Sequence, residues 1–201
     1  MNADASHTAV VILAAGASNR MGTPKQLLDW AENKTLLGHV IETVSAINPA
    51  ELIVVLGAHF KIIENEIKDI NITILENKNW MSGLGSSIAC AADYLLRMKE
   101  RHVLIALADQ PFITAKYLSS MISEFQPNKQ QIIASSYQNR PYGVPALFDA
   151  SYLEELSKLS DDHGARFLLK RHEAFIKTLK PPRQNPDIDT PKDYQNHFNK
   201  N

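Results

Sequence analysis

Cysteine is nearly absent from this sequence: Cys90 is the only one in 201 residues. No disulfide can form within the chain, and no cysteine-based zinc site can be assembled. The seven histidines are scattered and give no metal-ligand spacing. No run of about 18 apolar residues is present to cross a bilayer. Met1 to Thr8 lacks the basic start and apolar stretch of a secretory leader, which makes the cytoplasm the expected compartment. A strong charge of either sign is missing too. The formal net charge of -1 argues against a general binder of nucleic acid or of anionic membranes. There is no Gly-x-Ser-x-Gly elbow, so a hydrolase triad is disfavoured. A Walker A spacing and the glycine register of a dinucleotide fingerprint are also lacking.

What is present reads as one α/β domain spanning residues 1–201. Hydrophobic residues make up 44% and charged residues 21%, the balance of a globular chain with a sizeable core. Strands are expected at Ala9–Ala15, Glu51–Gly57, Asn71–Glu76, His102–Ala108, Gln131–Tyr137 and Phe175–Leu179. Helices are expected at Thr35–Ile47, Ser86–Met98 and Thr114–Phe125, with Thr114 as an N-cap. Leu52–Leu56 and Val103–Leu107 are continuous apolar runs, as strands covered on both faces should be. The alternation implies a mostly parallel, mixed sheet with helices on both faces. Prolines then punctuate the chain after Asn139, suggesting an elaborated half. Residues 9–110 are expected to form a nucleotide-binding half and residues 111–201 an acceptor-binding half.

Four stretches carry chemistry. The first, Leu13-Ala14-Ala15-Gly16-Ala17-Ser18-Asn19-Arg20-Met21-Gly22-Thr23-Pro24-Lys25, follows an apolar strand. Small residues let backbone approach a ligand, and Arg20 and Lys25 supply cations; phosphates bind at such loops in open α/β sheets. The second, Ala108-Asp109-Gln110-Pro111, puts a carboxylate just past the central apolar strand, where a hard oxygen suits Mg²⁺. The third, Asp187-Ile188-Asp189-Thr190-Pro191-Lys192-Asp193, starts a helix, with Asp189 or Thr190 as its cap. Asn79-Trp80-Met81-Ser82-Gly83-Leu84-Gly85-Ser86-Ser87 is a glycine-rich turn that opens a helix and presents N–H groups, with Ser86 or Ser87 as cap. Cys90, on an apolar helix face, reads as packing.

The first string resembles the Leu-Ala-Ala-Gly-x-Ser-x-Arg-Met-Gly-x-Pro-Lys motif of nucleotidyltransferases with a Rossmann-like fold. Among these it is most similar to molybdenum-cofactor cytidylyltransferases. The other strings agree with it in order, from Val10 to about Tyr194. The resemblance implies that Asp109 is a metal ligand and that Asp189, with Asp187 as the alternate, completes the Mg²⁺ site. It implies a catalytic role for Lys25 and Arg20, and nucleotide contacts from Leu13, Ala14, Ala15, Gly16, Ala17, Ser18, Gly83, Gly85, Ser86 and Ser87. Tyr142-Gly143-Val144-Pro145-Ala146-Leu147-Phe148 and Asp161-Asp162-His163-Gly164-Ala165-Arg166 look like acceptor-side strings of that family, which points to Gly143, Pro145 and Arg166. The second departs from the usual Gly-Asp start, so Asp161 and Asp162 read first as helix caps.

The implied reaction transfers CMP from CTP to molybdopterin, with pyrophosphate leaving and a molybdoenzyme as a transient partner. Ala14-Ala15, where guanylyl-transferring relatives more often carry Ala-Gly-Gly, favours CTP. A different phosphorylated acceptor, such as a sugar or polyol phosphate, is the runner-up. A non-catalytic module that delivers a pterin is the rival from another class. A phosphomonoester is already anionic at neutral pH, so the barrier is one of bringing anions together rather than of finding a strong base.

Overall fold

The computed structural model describes residues 5–31, 33–98, 102–138, 140–182 and 186–198. Residues 1–4 of the segment read for a leader lie outside them. The chain runs through β1 (Thr8–Ala14), the hairpin β2 (Asp29–Ala31) and β3 (Lys34–Thr35), α1 (Leu36–Ser45), β4 (Glu51–Leu56), α2 (Phe60–Ile67) and β5 (Thr73–Glu76). It continues through α3 (Leu84–Met98), β6 (His102–Leu107), α4 (Ala115–Ser123), β7 (Ile132–Tyr137), β8 (Arg140–Phe148), α5 (Leu153–Leu156), α6 (Arg166–Arg171), β9 (Ile176–Leu179) and α7 (Pro191–Phe198). Seven strands form one mixed sheet in the order β5-β4-β1-β6-β8-β7-β9. All neighbours are parallel except β8, which runs antiparallel to both β6 and β7.

Strand β1 shows why the sheet is covered on both faces. Val10 and Ile12 point to the layer of α1, α2 and α4, while Ala9, Val11 and Leu13 point to that of α3, α5 and α6. Thr8 to Ala14 are all buried. The helices start where the sequence supplies caps. The Thr35 hydroxyl accepts from the Gly38 N–H at 3.1 Å, and the Thr114 hydroxyl from the Tyr117 N–H at 3.2 Å. At α7 the cap is Thr190 rather than Asp189: Asp193 Oδ2 accepts from the Thr190 N–H and hydroxyl at 2.9 and 2.7 Å. That frees Asp189 to turn elsewhere. Helix α3 begins at Leu84, two residues before the expected start, because Gly83 at φ 100° closes the preceding turn.

Tyr117 ties α4 to the far side of the sheet. Its hydroxyl donates to Ser135 Oγ at 2.9 Å and lies 3.1 Å from the Leu179 carbonyl, while Ser135 Oγ donates to the Pro145 carbonyl at 2.7 Å. Burial pushes the phenol up to about 12, so it stays a donor. Tyr117→Phe leaves these acceptors short of a partner in the core. It is expected to cost about 1–2 kcal/mol, seen as a lower urea midpoint at unchanged slope.

Candidate functional site

Register brings the first two motifs together. Leu13 of β1 lies opposite Leu107 of β6 in a parallel pair, so both strands end at the same edge. The Ala108 N–H donates to the Leu13 carbonyl at 3.1 Å, which sets the 13–25 loop beside Asp109. The third motif is pinned there by the Ile188 N–H, which donates to the Asp109 carbonyl at 3.0 Å. Ile188 itself is fully buried with Met21, Trp30 and Leu36 in a small separate core under the β2–β3 hairpin. The chain reverses its direction of travel across the sheet between β1 and β6, the place where open α/β sheets bind ligands.

Lys25 sits at the centre. Its Nζ donates to Asp109 Oδ2 at 2.6 Å and to Asp189 Oδ1 at 2.8 Å. Arg20 donates to the other oxygen of Asp189 at 2.7 Å. The three ion pairs differ in exposure. Lys25 and Asp109 are 15% and 18% exposed, whereas Arg20 is 69% exposed and held only by a surface pair. Burial alone would lower the Lys25 ammonium, but the adjacent Asp109 and Asp189 charges outweigh it and hold it above the usual lysine value. Burial raises the Asp109 carboxyl, against the pull of Lys25, and Asp187 and Asp189 add to the rise. Burial acts the same way on Asp189, but Lys25 and Arg20 together win and its carboxyl is lowered. Asp187 is engaged differently, accepting from Gln110 Nε2 at 2.8 Å.

Above this cluster opens a cavity of about 430 Å³. Leu13, Ala14, Ala15, Gly16, Ala17, Lys25 and Asp109 line it, together with Trp80, Met81, Gly83, Leu84, Ser87 and Asp162. The N–H groups of Gly16, Ala17 and Ser18 make no hydrogen bond among the described residues. The remaining sequence candidates lie off the lining. Ser18, at φ 56°, turns its hydroxyl to accept from the Lys25 N–H at 3.1 Å. Ser86 donates to the Gly83 carbonyl at 2.8 Å, and the Gly85 N–H donates to the Asp161 carbonyl at 2.7 Å. Gly143 packs on the Tyr137 ring, Pro145 borders a small apolar void next to α1 and α4, and Arg166 is exposed at the start of α6. Cys90 is half-buried and burial pushes its thiol up, in keeping with packing.

Two residues that shape the site carry no motif signal. Gln26 is 1% exposed and its Nε2 donates to the Ala14 and Gly16 carbonyls at 2.7 and 3.0 Å, which fixes the curve of the first loop. Asn77 is buried and donates to Ser86 Oγ and Ser87 Oγ at 2.8 and 2.9 Å, clamping the start of α3. Their partners lie 9 to 12 residues away, a separation at which a lone amide looks like any other polar residue. Gln26→Leu removes both carbonyl contacts. It is expected to weaken nucleotide binding through a loosened loop and to lower stability by about 2 kcal/mol, both measurable in one calorimetric series.

Unpaired backbone donors, Lys25 and Asp109 on one cavity at a sheet edge, with Asp189 paired to Lys25 and Arg20 paired to Asp189 beside it, define a protein built for phosphate-bearing ligands. The chain belongs to the family of MobA-like NTP transferase domains, whose profile matches residues 10–175, and is a nucleotidyltransferase. It is 32% identical over 167 residues to "Nicotine blue oxidoreductase" of Paenarthrobacter nicotinovorans, covering 80% of each chain. It is 37% identical over 115 residues to "Bifunctional protein GlmU" of Francisella philomiragia, matching 57% of this chain and only a quarter (25%) of that protein's length. Among solved structures, it superimposes with a TM-score of 0.81 and 28% identity on a homologue, from Mycobacterium sp. strain JC1, of the Mycobacterium tuberculosis protein Rv0371c; the match covers 97% of this chain and 96% of that one. Rv0371c itself, solved as a complex with manganese, matches at 22% identity and a TM-score of 0.78 over 96% and 98% of the two chains, a likeness of fold. Among the described residues no helix is long and apolar enough to cross a membrane.

Proposed function

We propose that this chain transfers CMP from CTP to the phosphomonoester of molybdopterin, with release of pyrophosphate. The observation that carries the reading is Lys25 bridging Asp109 and Asp189 on the cavity that Gly16 and Ala17 also line, with the N–H groups of residues 16–18 unpaired among the described residues. A triphosphate laid along that loop meets two cations and fixed backbone dipoles. Lys25 and Arg20 offset its charge, and the N–H groups of Gly16, Ala17 and Ser18 hold it in line for attack at the α-phosphorus. Expulsion of pyrophosphate then follows, whereas a kinase would need the γ-phosphorus at the acceptor.

A divalent ion fits the same residues. Asp109 Oδ1 is buried without a hydrogen-bond partner, and two carboxylates are what Mg²⁺ uses when substrate phosphates complete its shell. Among the described residues no group of three or more His, Cys, Asp or Glu is disposed for a metal, so Asp109 and Asp189 would hold it without a third side chain. When bound, Mg²⁺ supplies charge neutralisation and polarisation of the phosphoryl oxygen. Asp187, occupied by Gln110, is the less available of the two alternatives.

The choice of CTP follows from Ala15. It lines the cavity with its methyl group packed towards Gly57 and Trp80, which leaves less width for a purine. The acceptor rests on the sequence motifs, because the names of the relatives range from an oxidoreductase to a bifunctional protein. A sugar or polyol phosphate is the second choice. In this reading residues 9–110 carry the nucleotide, residues 111–201 face the acceptor, the compartment is cytoplasmic, and a molybdoenzyme collects the product. A screen of each NTP with Mg²⁺ against molybdopterin and sugar or polyol phosphates, with mass spectrometry of the products, tests this. The expected product is the cytosine dinucleotide of the pterin. Pyrophosphate release with another acceptor alone would move the assignment, and no release in any combination would overturn it.

A further inference from the structure

Asp162 lines the same cavity as Lys25 and Asp109 and is exposed to solvent. It lies in the loop between α5 and α6, packed against Gly83 at the start of α3. No hydrogen bond or ion pair engages its carboxylate among the described residues. The loop that carries it is not free to drift. The Gly85 N–H donates to the Asp161 carbonyl at 2.7 Å, and the His163 N–H donates to Asp161 Oδ1 at 2.9 Å. Gly83 makes room for it: a Cβ there would lie 2.1 Å from Asp162 Oδ1. A side chain at Gly85 would likewise run into the Asp161 backbone, at 2.7 Å. The two glycines of the turn therefore serve to seat this carboxylate against the start of α3.

A bare carboxylate in a cavity that takes a polyanion has a restricted choice of partners. Phosphate cannot lie against it, since like charges at short range repel strongly. Exposed to solvent as it is, it suits a hydrogen-bond donor of the ligand in place of water. The surroundings identify which. Trp80, Met81 and Leu84 form the wall beside it, and Met81 is 79% exposed, an apolar surface suited to the flat face of a heterocycle rather than to a polyol. We infer that Asp162 accepts a hydrogen bond from the exocyclic amino group of the nucleobase, and so selects an amino-bearing base over uracil. The inference rests on the nucleotide reading of the cavity, takes Asp162 out of the acceptor-facing half 111–201, and adds the orientation of the ligand: phosphates at Lys25 and Arg20, base edge at Asp162. Uracil presents a carbonyl oxygen where cytosine presents an amino group, and an oxygen facing a carboxylate leaves both without a partner.

The test is direct binding of CTP and UTP with Mg²⁺, without acceptor, to the wild type and to Asp162→Asn and Asp162→Ala, by isothermal titration. In the wild type CTP should bind more tightly than UTP. In Asp162→Asn, CTP should weaken by about 10- to 100-fold, while UTP holds or improves because the new amide can donate to the uracil oxygen. Asp162→Ala should weaken CTP without any gain for UTP. Equal losses for both nucleotides, matched by 2′-deoxyCTP binding that no longer responds to the substitution, would put the carboxylate at the ribose and overturn the inference. So would an unchanged CTP-to-UTP ratio in Asp162→Asn. A wild type that binds none of the four NTPs would overturn the nucleotide reading itself, a result distinct from either of these.

Discussion

Lys25→Ala should lower turnover by about 10²- to 10³-fold, the range seen when one preorganised charge partner of a transition state is removed. Lys25 is the buried member of the cationic pair, held at 2.6 and 2.8 Å by two carboxylates. Arg20, 69% exposed, is too loosely placed to take over. A second measurement separates this effect from simple damage. In the wild type the ammonium holds one oxygen of each carboxylate, Asp109 Oδ2 and Asp189 Oδ1, and competes there with a divalent ion. Without it Asp109 has no cation and Asp189 keeps only Arg20, so Mn²⁺ added alone should bind Lys25→Ala more tightly than the wild type, even as turnover collapses. A variant that had merely lost its fold would lose both.

The same variant should show a pH-dependent stability deficit. Burial already raises the Asp109 carboxyl, and losing Lys25 removes the main opposing influence. A carboxyl raised in the folded state contributes stability at low pH and loses it as pH rises through its folded value. Asp189 has the opposite sign: its lowered carboxyl stabilises the wild type above the ordinary value of 3.8, a contribution that fades in acid and that Lys25→Ala weakens. Both lead to a deficit that is largest near neutrality and shrinks towards pH 4. Thermal melts of the two proteins across that range read it directly.

Asp109→Asn should separate function from stability. Turnover should fall by about 100-fold or more, with loss of the response to divalent ions, because a carboxamide is a far poorer ligand for Mg²⁺. The melting temperature should hold or rise. Desolvation disfavours the charged form of Asp109 in the folded protein, and its Oδ1 is buried without a partner. A neutral residue of the same shape removes that cost, while Lys25 keeps Asp189. Sites that hold a destabilised group for chemistry behave in this way. A melting temperature several degrees lower would show that Asp109 is structural.

Much of this was legible from residue order. The continuous apolar runs at 9–13, 52–56 and 103–107 became β1, β4 and β6, the three central parallel strands. The Gly16–Lys25 loop, Asp109 and Asp189 were marked by motif, and register alone brought them together. What escaped has physical reasons. Strand β8 is broken in sequence by Pro141, Gly143 and Pro145, and only its tyrosine-to-phenylalanine string hinted at it. Helix α2 buries only Ile63 and Ile67, too thin a stripe to stand out. Hairpin β2–β3 is held by long-range packing of Trp30 with Phe112 and Tyr194. Gln26, Asn77 and Asp162 act through the shape of loops that meet only in the folded chain. Asp162 in particular reads in sequence as a helix cap, yet it lines the cavity.

The central claim is that the innermost phosphorus of the nucleotide is captured. Incubation with Mg²⁺, acceptor and CTP labelled with ³²P at either the α or the γ position tests it most directly. The α label should appear on the acceptor and the γ label in pyrophosphate. Transfer of the γ label to the acceptor, or its release as orthophosphate, would contradict the account.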